Sequence, residues 1–239
     1  MRLVTDQKMV ERNASIGKYS MQAGLILLVG ALVIDIYGFT KPQDSMIIVY
    51  AMGAFFVGLV LTNLSAYFNN RWGRRPDKGL NDALKGLDEH YALYHYRLGA
   101  AHVLFGPGGV SVLVPKYQPG RITIQKGRWQ APGANRGPLG MFTNDPVGNP
   151  VAEAADEVAR LNAYLKKNAP DLKAAPQAVV VFMDPKAEID LEDPPLPVVH
   201  VKQLKDFVRK QPKDMSLPAW PMERLDASLG LKPADKAEE

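Results

Sequence analysis

The sequence predicts an α+β domain, a mixed β-sheet flanked by helices, preceded by an α-helical transmembrane hairpin. Three observations predict it. Two apolar stretches fill the first third, with Asp35 the one charge in residues 19–40 and none in residues 45–70. Three short β patterns broken by Gly-Pro turns occupy residues 101–125. Beyond them, helical periodicity alternates with short β-branched runs, as in a mixed sheet covered by helices.

The 239 residues include no cysteine, so neither a disulfide framework nor a thiolate metal site can form. The formal charge is +4, and its location matters more than its size. Residues 76–239 hold 21 Lys and Arg against 21 Asp and Glu, whereas residues 1–75 hold 8 against 4. The whole excess flanks the apolar stretches, which points to a membrane surface; the neutral remainder gives no support for a nucleic-acid partner.

Residues 1–18 read as a polar cytoplasmic lead carrying Arg2, Lys8, Arg12 and Lys18. Residues 19–70 hold two transmembrane helices, about 19–40 and 45–68, joined by the tight break Lys41-Pro42-Gln43-Asp44. A bilayer core needs about 20 apolar residues in helix, which both meet if Asp35 sits near the far interface, as a solvated carboxylate. A cleaved signal peptide is the competing reading of the first segment. It is disfavoured by the long polar lead and by the second span that follows at once. A buried hairpin of a soluble protein fits poorly with 26 uncharged residues in a row. Arg71, Arg74, Arg75 and Lys78 follow the second span, and the connecting loop has Lys41 alone. Both ends are therefore expected in the cytoplasm, in the cell membrane, with the bilayer as partner. Ala54 and Gly58, four apart, would let the helices approach closely, and the hairpin could seat membrane-protein partners.

Residues 71–79 form a basic linker, and 80–211 the cytoplasmic domain. Leu80, Ala83, Leu84, Leu87, Tyr91 and Tyr94 recur at helical steps, predicting one helix over 80–97. Strands follow at 101–105, 110–116 and 121–125, turned by Gly106-Pro107-Gly108-Gly109 and Pro119-Gly120. Val110, Val112 and Val114 share one face of the middle strand, Ser111 and Leu113 the other. Residues 131–150 read as a loop, 151–168 as a helix, 179–182 as a buried strand, 184–197 as an acidic connection, 198–201 as a strand and 202–210 as a helix. Residues 212–239 hold a last helix, near 222–231, and a polar tail.

The helix, the run AHVLFGPGGVSVLVPKYQPGRI, the trailing Gly127-Arg128-Trp129, the VVVF strand and the LKDFV helix resemble the nuclease-related domain, over roughly residues 79–211. The resemblance implies a restriction-endonuclease-like fold. In that family the first strand carries an aspartate before a histidine, and the second a glutamate-x-lysine. The two acids hold a divalent metal that activates water on a phosphodiester, and the lysine helps place the water. Here Ala101 and Val114 stand at the acid positions, while His102 and Lys116 remain. The resemblance thus implies the fold with its metal positions empty of ligands, and no cofactor is expected. Lys116 and His102 are the candidate catalytic positions, as vestiges of the motif. The alternative is a nuclease acting on DNA or RNA through a divalent metal held by relocated carboxylates, with Asp82, Asp88 and Glu89 as sources.

Other constellations fail. Asp88 and Glu89 are adjacent and share a helical face poorly. His90 and His95 are five apart, where four would suit a helical metal site. GPGGVSV lacks the Lys-Ser/Thr ending of a phosphate loop. Tyr91, Tyr94 and Tyr96 with Arg97 could stack on single strands, but read better as a core face.

Overall fold

The computed structural model describes residues 1–40, 45–125, 127–131, 147–170, 172, 174–212 and 227. The chain divides into a helical unit, residues 6–76, and an α+β unit made of residues 1–5 and 77–239.

Residues 2–5 belong to a sheet. Strand β1 (Arg2–Thr5) is the edge of the α+β unit's main sheet. The Met1 ammonium donates to Leu87 O at 2.9 Å, and Arg2 N to Tyr91 O at 2.8 Å.

The helical unit follows, with α1 (Gln7–Thr40) and α2 (Ser45–Phe68) closed by a π-helical turn, Asn69–Gly73. Asp6 caps α1, its carboxylate accepting from Met9 N at 3.0 Å. Both helices are long and apolar enough to cross a membrane. Their outward faces are apolar: Ile26 is 71% exposed and Val60 66%. The break at 41–44 lies outside the described residues.

The helices pack along a seam with a period of seven. On α1 the seven-residue register takes in Val10, Gly17, Gly24, Ala31 and Gly38, with Asn13 buried besides; opposite them lie Ala51, Gly58, Ser65 and Trp72. Small residues at this spacing bring two backbones together and impose a left-handed supercoil. A Cβ on Gly24 would meet Gly58 O at 3.0 Å, and one on Gly58 would meet Leu28 Cγ at 2.9 Å. Polar groups bond across the seam as well: Ser65 Oγ donates to Gly17 O at 2.7 Å and Asn69 Nδ2 to Ser65 Oγ at 3.1 Å. Gly58 is the close-approach residue the sequence suggests, but its seam partner is Ala51, one heptad away, and Ala54 lies at the margin.

In the α+β unit, α3 (Pro76–Leu84) starts with Pro at its first position, and Gly86, at φ 81°, follows its end. The single helix expected over 80–97 does not form. After the turn the chain becomes β2 (Ala92–Leu98). Leu84, Leu87, Tyr91 and Tyr94 satisfy a helical period, but Ala92-Leu93-Tyr94-His95 buries alternate residues on both faces, as a central strand does. β3 (Ala100–Gly106) and β4 (Gly109–Lys116) make the expected hairpin, with Gly109 at φ 106° in its turn.

The third expected strand leaves this sheet. β5 (Gly120–Gln125) pairs antiparallel with β6 (Arg128–Gln130), and parallel with β8 (Ala187–Ile189), which lies in the connection read as acidic coil. Helix α4 (Pro150–Asn168), strand β7 (Gln177–Phe182), strand β9 (Val198–His200), a 3₁₀ turn (Val201–Gln203) and helix α5 (Leu204–Lys210) complete the described unit. The main sheet runs β1-β2-β3-β4-β7-β9; β2-β3-β4 are antiparallel, and the β1–β2, β4–β7 and β7–β9 pairs are parallel. This is the mixed sheet with flanking helices that the sequence predicts. Most of the 131–150 loop and the helix near 222–231 lie outside the described residues.

Helices cover both faces of the sheet. Leu80 and Leu84 of α3 with Leu204 and Val208 of α5 pack on Leu93, Leu104, Leu113, Val179 and Val181. Leu161 and Leu165 of α4 pack on the opposite face against Ala92, Tyr94, Val103, Phe105 and Val112. Burying such side chains contributes roughly 1.5–3 kcal/mol each. Tyr94 is wholly buried and Tyr91 nearly so, which makes them core residues.

Candidate functional site

Lys116 ends β4 on the face that α4 covers, in line with Val112 and Val114. Its side chain is 9% exposed, and its ammonium donates to Val147 O at 2.9 Å and Glu153 Oε1 at 2.7 Å. The start of α4 sets this up. Asn149 caps the helix, accepting from Ala152 N at 3.2 Å, and Pro150 fixes the first turn. Glu153 then lies in that turn, where the helix dipole favours a carboxylate.

The two motif positions that lack acids lie on the same face. Val114 packs in an apolar cluster with Ile122, Trp129, Ala154, Val180 and Phe182. Ala101 donates its backbone N–H to Glu157 Oε2 at 2.7 Å, while Glu157 Oε1 accepts from Arg160 at 2.6 Å. The acids near the motif therefore come from α4, four residues apart. One neutralises Lys116; the other ties down the amide of Ala101. Among the described residues, no group of three or more His, Asp or Glu side chains could hold a metal ion.

His102 lies on the other face of the sheet, with Leu104 and the α3 side of the core. Strand alternation thus separates it from Lys116, and the two surviving motif residues do not form one site. His102 instead pairs across the sheet with His95, their Nδ1 atoms 2.7 Å apart and both rings buried. Asn81 of α3 brings its Oδ1 to 2.9 Å from His95 Nε2. An amide oxygen there assigns the proton to His95 Nε2, leaves Nδ1 an acceptor, and makes His102 Nδ1 the donor. Burial lowers the His95 pKa from 6.5 to about 4, against the opposing pull of the Asp77 carboxylate. Beside the pair the β2–β3 register shifts, and Tyr96, at φ 59°, lays its ring edge-on to His102 at 5.0 Å.

The remaining candidates have structural surroundings. His90 is exposed at the turn before β2, hydrogen-bonded to Asp88 at 3.2 Å. His200 caps Lys202 N at 3.2 Å and approaches Asp184 O at 3.0 Å. Asp190 pairs with Arg121, tying β5 to the end of β8. Asp35 lies one to two turns from the end of α1, partly exposed. Glu153, Glu157 and His95 are what residue spacing missed. Glu153 and Glu157 meet the motif strands only in the fold, and His95 was assigned to a helix. Strict alternation over 92–95 was the available signal for His95. No family model, no curated protein and no solved structure matches the chain.

Proposed function

We propose that the chain is a membrane-anchored module of the cell membrane, both ends cytoplasmic, whose α+β unit is a restriction-endonuclease-like, nuclease-related domain without nuclease chemistry. It serves binding or scaffolding, as an accessory subunit of a membrane complex or on its own. The observation that carries this reading is the state of Lys116. Its ammonium is buried against Val147 O and Glu153, Val114 and Ala101 occupy the acid positions, and His102 faces away. A water-placing lysine in such an enzyme needs a metal-bound carboxylate pair beside it. Two features support the topology. Basic residues flank both outer ends of the hairpin, and β1, just before α1, pairs with β2, so the two ends meet in one sheet.

The test is cleavage. Purified full-length protein in mild detergent, given magnesium or manganese, is expected to leave single- and double-stranded DNA and RNA intact. Metal-dependent cutting that disappears in Lys116→Ala would overturn the proposal. One observation favours the alternative, a nuclease with relocated ligands: Glu153 lies 2.7 Å from Lys116. In that case cutting would vanish in Glu153→Gln as well. For the accessory-subunit form, co-purification with a membrane protein at fixed stoichiometry is the expected result.

A further inference from the structure

We propose that the outer edge of β1 is a pairing surface for a second copy of this chain, the two β1 strands meeting antiparallel about a two-fold axis at Leu3. The proposal rests on the membrane-anchored reading, which holds copies of the chain at one level, and adds a partner to it.

Three observations carry it. The first is an open edge. β1 ends the main sheet, and no strand among the described residues pairs with its far side. Arg2 N donates to Tyr91 O, and the register sets Arg2 beside Ala92, Leu3 beside Leu93 and Val4 beside Tyr94. Backbone groups alternate along a strand. Arg2 and Val4 therefore bond to β2, while the N–H and C=O of Leu3 and the N–H of Thr5 point outward. Neither Pro nor Lys, which commonly guard such an edge, stands in residues 2–5. The second is Leu3 itself. It is 49% exposed, and among the described residues of the α+β unit no other large hydrophobic side chain is left so exposed. Pairing with Leu93 sets it on the sheet face that α3 and α5 cover, whereas Val4 packs against the opposite cluster.

The third is that this edge complements itself. In an antiparallel pair centred on Leu3, each Leu3 exchanges both hydrogen bonds with its counterpart, and Thr5 N–H of each strand meets Met1 O of the other. The two Leu3 side chains then stand side by side on one face and cover each other. Arg2 falls opposite Val4 of the other copy, so the two guanidinium groups do not face one another. A two-fold contact between copies requires a surface of this kind.

Size decides the occupant. Four residues span roughly 13 Å of strand. A ladder so short cannot bury the roughly 1,200 Å² that a stable complex between free proteins needs. A soluble partner therefore finds too little surface here. A second copy held in the same bilayer arrives concentrated and at the right level, so a short ladder suffices.

The chain has no native cysteine, so single thiols placed in the full-length protein, reconstituted in phosphatidylcholine vesicles, report the register. Leu3→Cys puts two thiols on the axis, their Cα atoms about 5.5 Å apart and within disulfide reach. Mild oxidation is expected to give a covalent dimer at twice the 26.3 kDa chain mass. Thr5→Cys thiols stand roughly 13 Å apart in this register. Gln7→Cys lies on exposed helix just beyond the edge. Both are expected to cross-link severalfold less than Leu3→Cys. Adding Thr5→Pro to Leu3→Cys deletes an outward N–H and leaves the bonds to β2; it is expected to lower the yield severalfold without moving the melting temperature in detergent. Equal yields at positions 3, 5 and 7 would mark chance collision and overturn the proposal. So would a yield unmoved by Thr5→Pro, or no Leu3→Cys dimer in vesicles from which alkaline carbonate does not release the chain. A Leu3→Cys product of another mass in native membranes would give the edge to a different protein and overturn the second-copy assignment. Release of the chain by alkaline carbonate would mean that the membrane-anchored reading itself fails, and the pairing with it.

Discussion

At the scale of single residues, two buried polar contacts define what the α+β unit tolerates. In the fold His95 accepts a proton only near pH 4, whereas an unfolded histidine does so near 6.5. The unfolded chain therefore binds the proton first as pH falls. The stabilisation is complete above pH 6.5 and is lost between about 6.5 and 4, on the order of 3 kcal/mol. A melting temperature in detergent that falls across that window is the expected result; a flat profile from pH 7 to 4.5 would contradict the buried neutral pair. The second contact is Lys116–Glu153. Glu153→Gln leaves a buried ammonium with Val147 O and is expected to cost about 1–3 kcal/mol. Lys116→Met removes the charge together with its need for a partner and is expected to cost less. Denaturant titration of both variants checks the order. The motif positions Lys116 and His102 were legible in the sequence, but their separation was not. Which face each occupies depends on strand register, and the acids that meet Lys116 and Ala101 come from α4, more than thirty residues further along.

Among the elements, legibility followed how local the signal was. β3 and β4 could be read because Gly106-Pro107-Gly108-Gly109 marks their turn and the valines alternate. β2 was misread because Leu84, Leu87, Tyr91 and Tyr94 fit a helix as well as Leu93 and His95 fit a strand, and neighbouring strands decided the matter. β5 was found but placed in the wrong sheet, since β8, its partner, lies some sixty residues away. The seam of the hairpin was present in the sequence as small residues at steps of seven. The four-residue spacing of Ala54 and Gly58 drew attention from it. That seam makes a sharp prediction. Gly58→Leu, whose Cβ would meet Leu28 and Gly24 O, is expected to destabilise the hairpin by ~1–3 kcal/mol, whereas Gly53→Leu, with nothing within 4 Å of its Cβ, is not. Thermal denaturation in the same detergent separates the two. The lack of native cysteine leaves a clean background for introducing a pair of thiols across the seam.

For the whole molecule, the N-terminal strand sets a limit on how the protein can be divided. A fragment of residues 77–239 keeps both helical layers but strips β1 from the sheet and bares the hydrogen-bonding edge of β2. It is expected to aggregate, and a fragment with residues 1–6 joined ahead of residue 77 by a flexible linker is expected to stay dispersed. Size-exclusion chromatography of the two distinguishes them. The same strand has a consequence for assembly. Pairing Arg2 with Ala92 closes a loop of about ninety residues, which in a free chain costs on the order of 4 kcal/mol of entropy. Once α1 and α2 have zipped together, the ends of that loop are already neighbours and most of the cost has been met. The paired helices thus act on the sheet as a cross-link would, so a variant that loosens the Gly24–Gly58 contact should slow the closing of the β1–β2 pair.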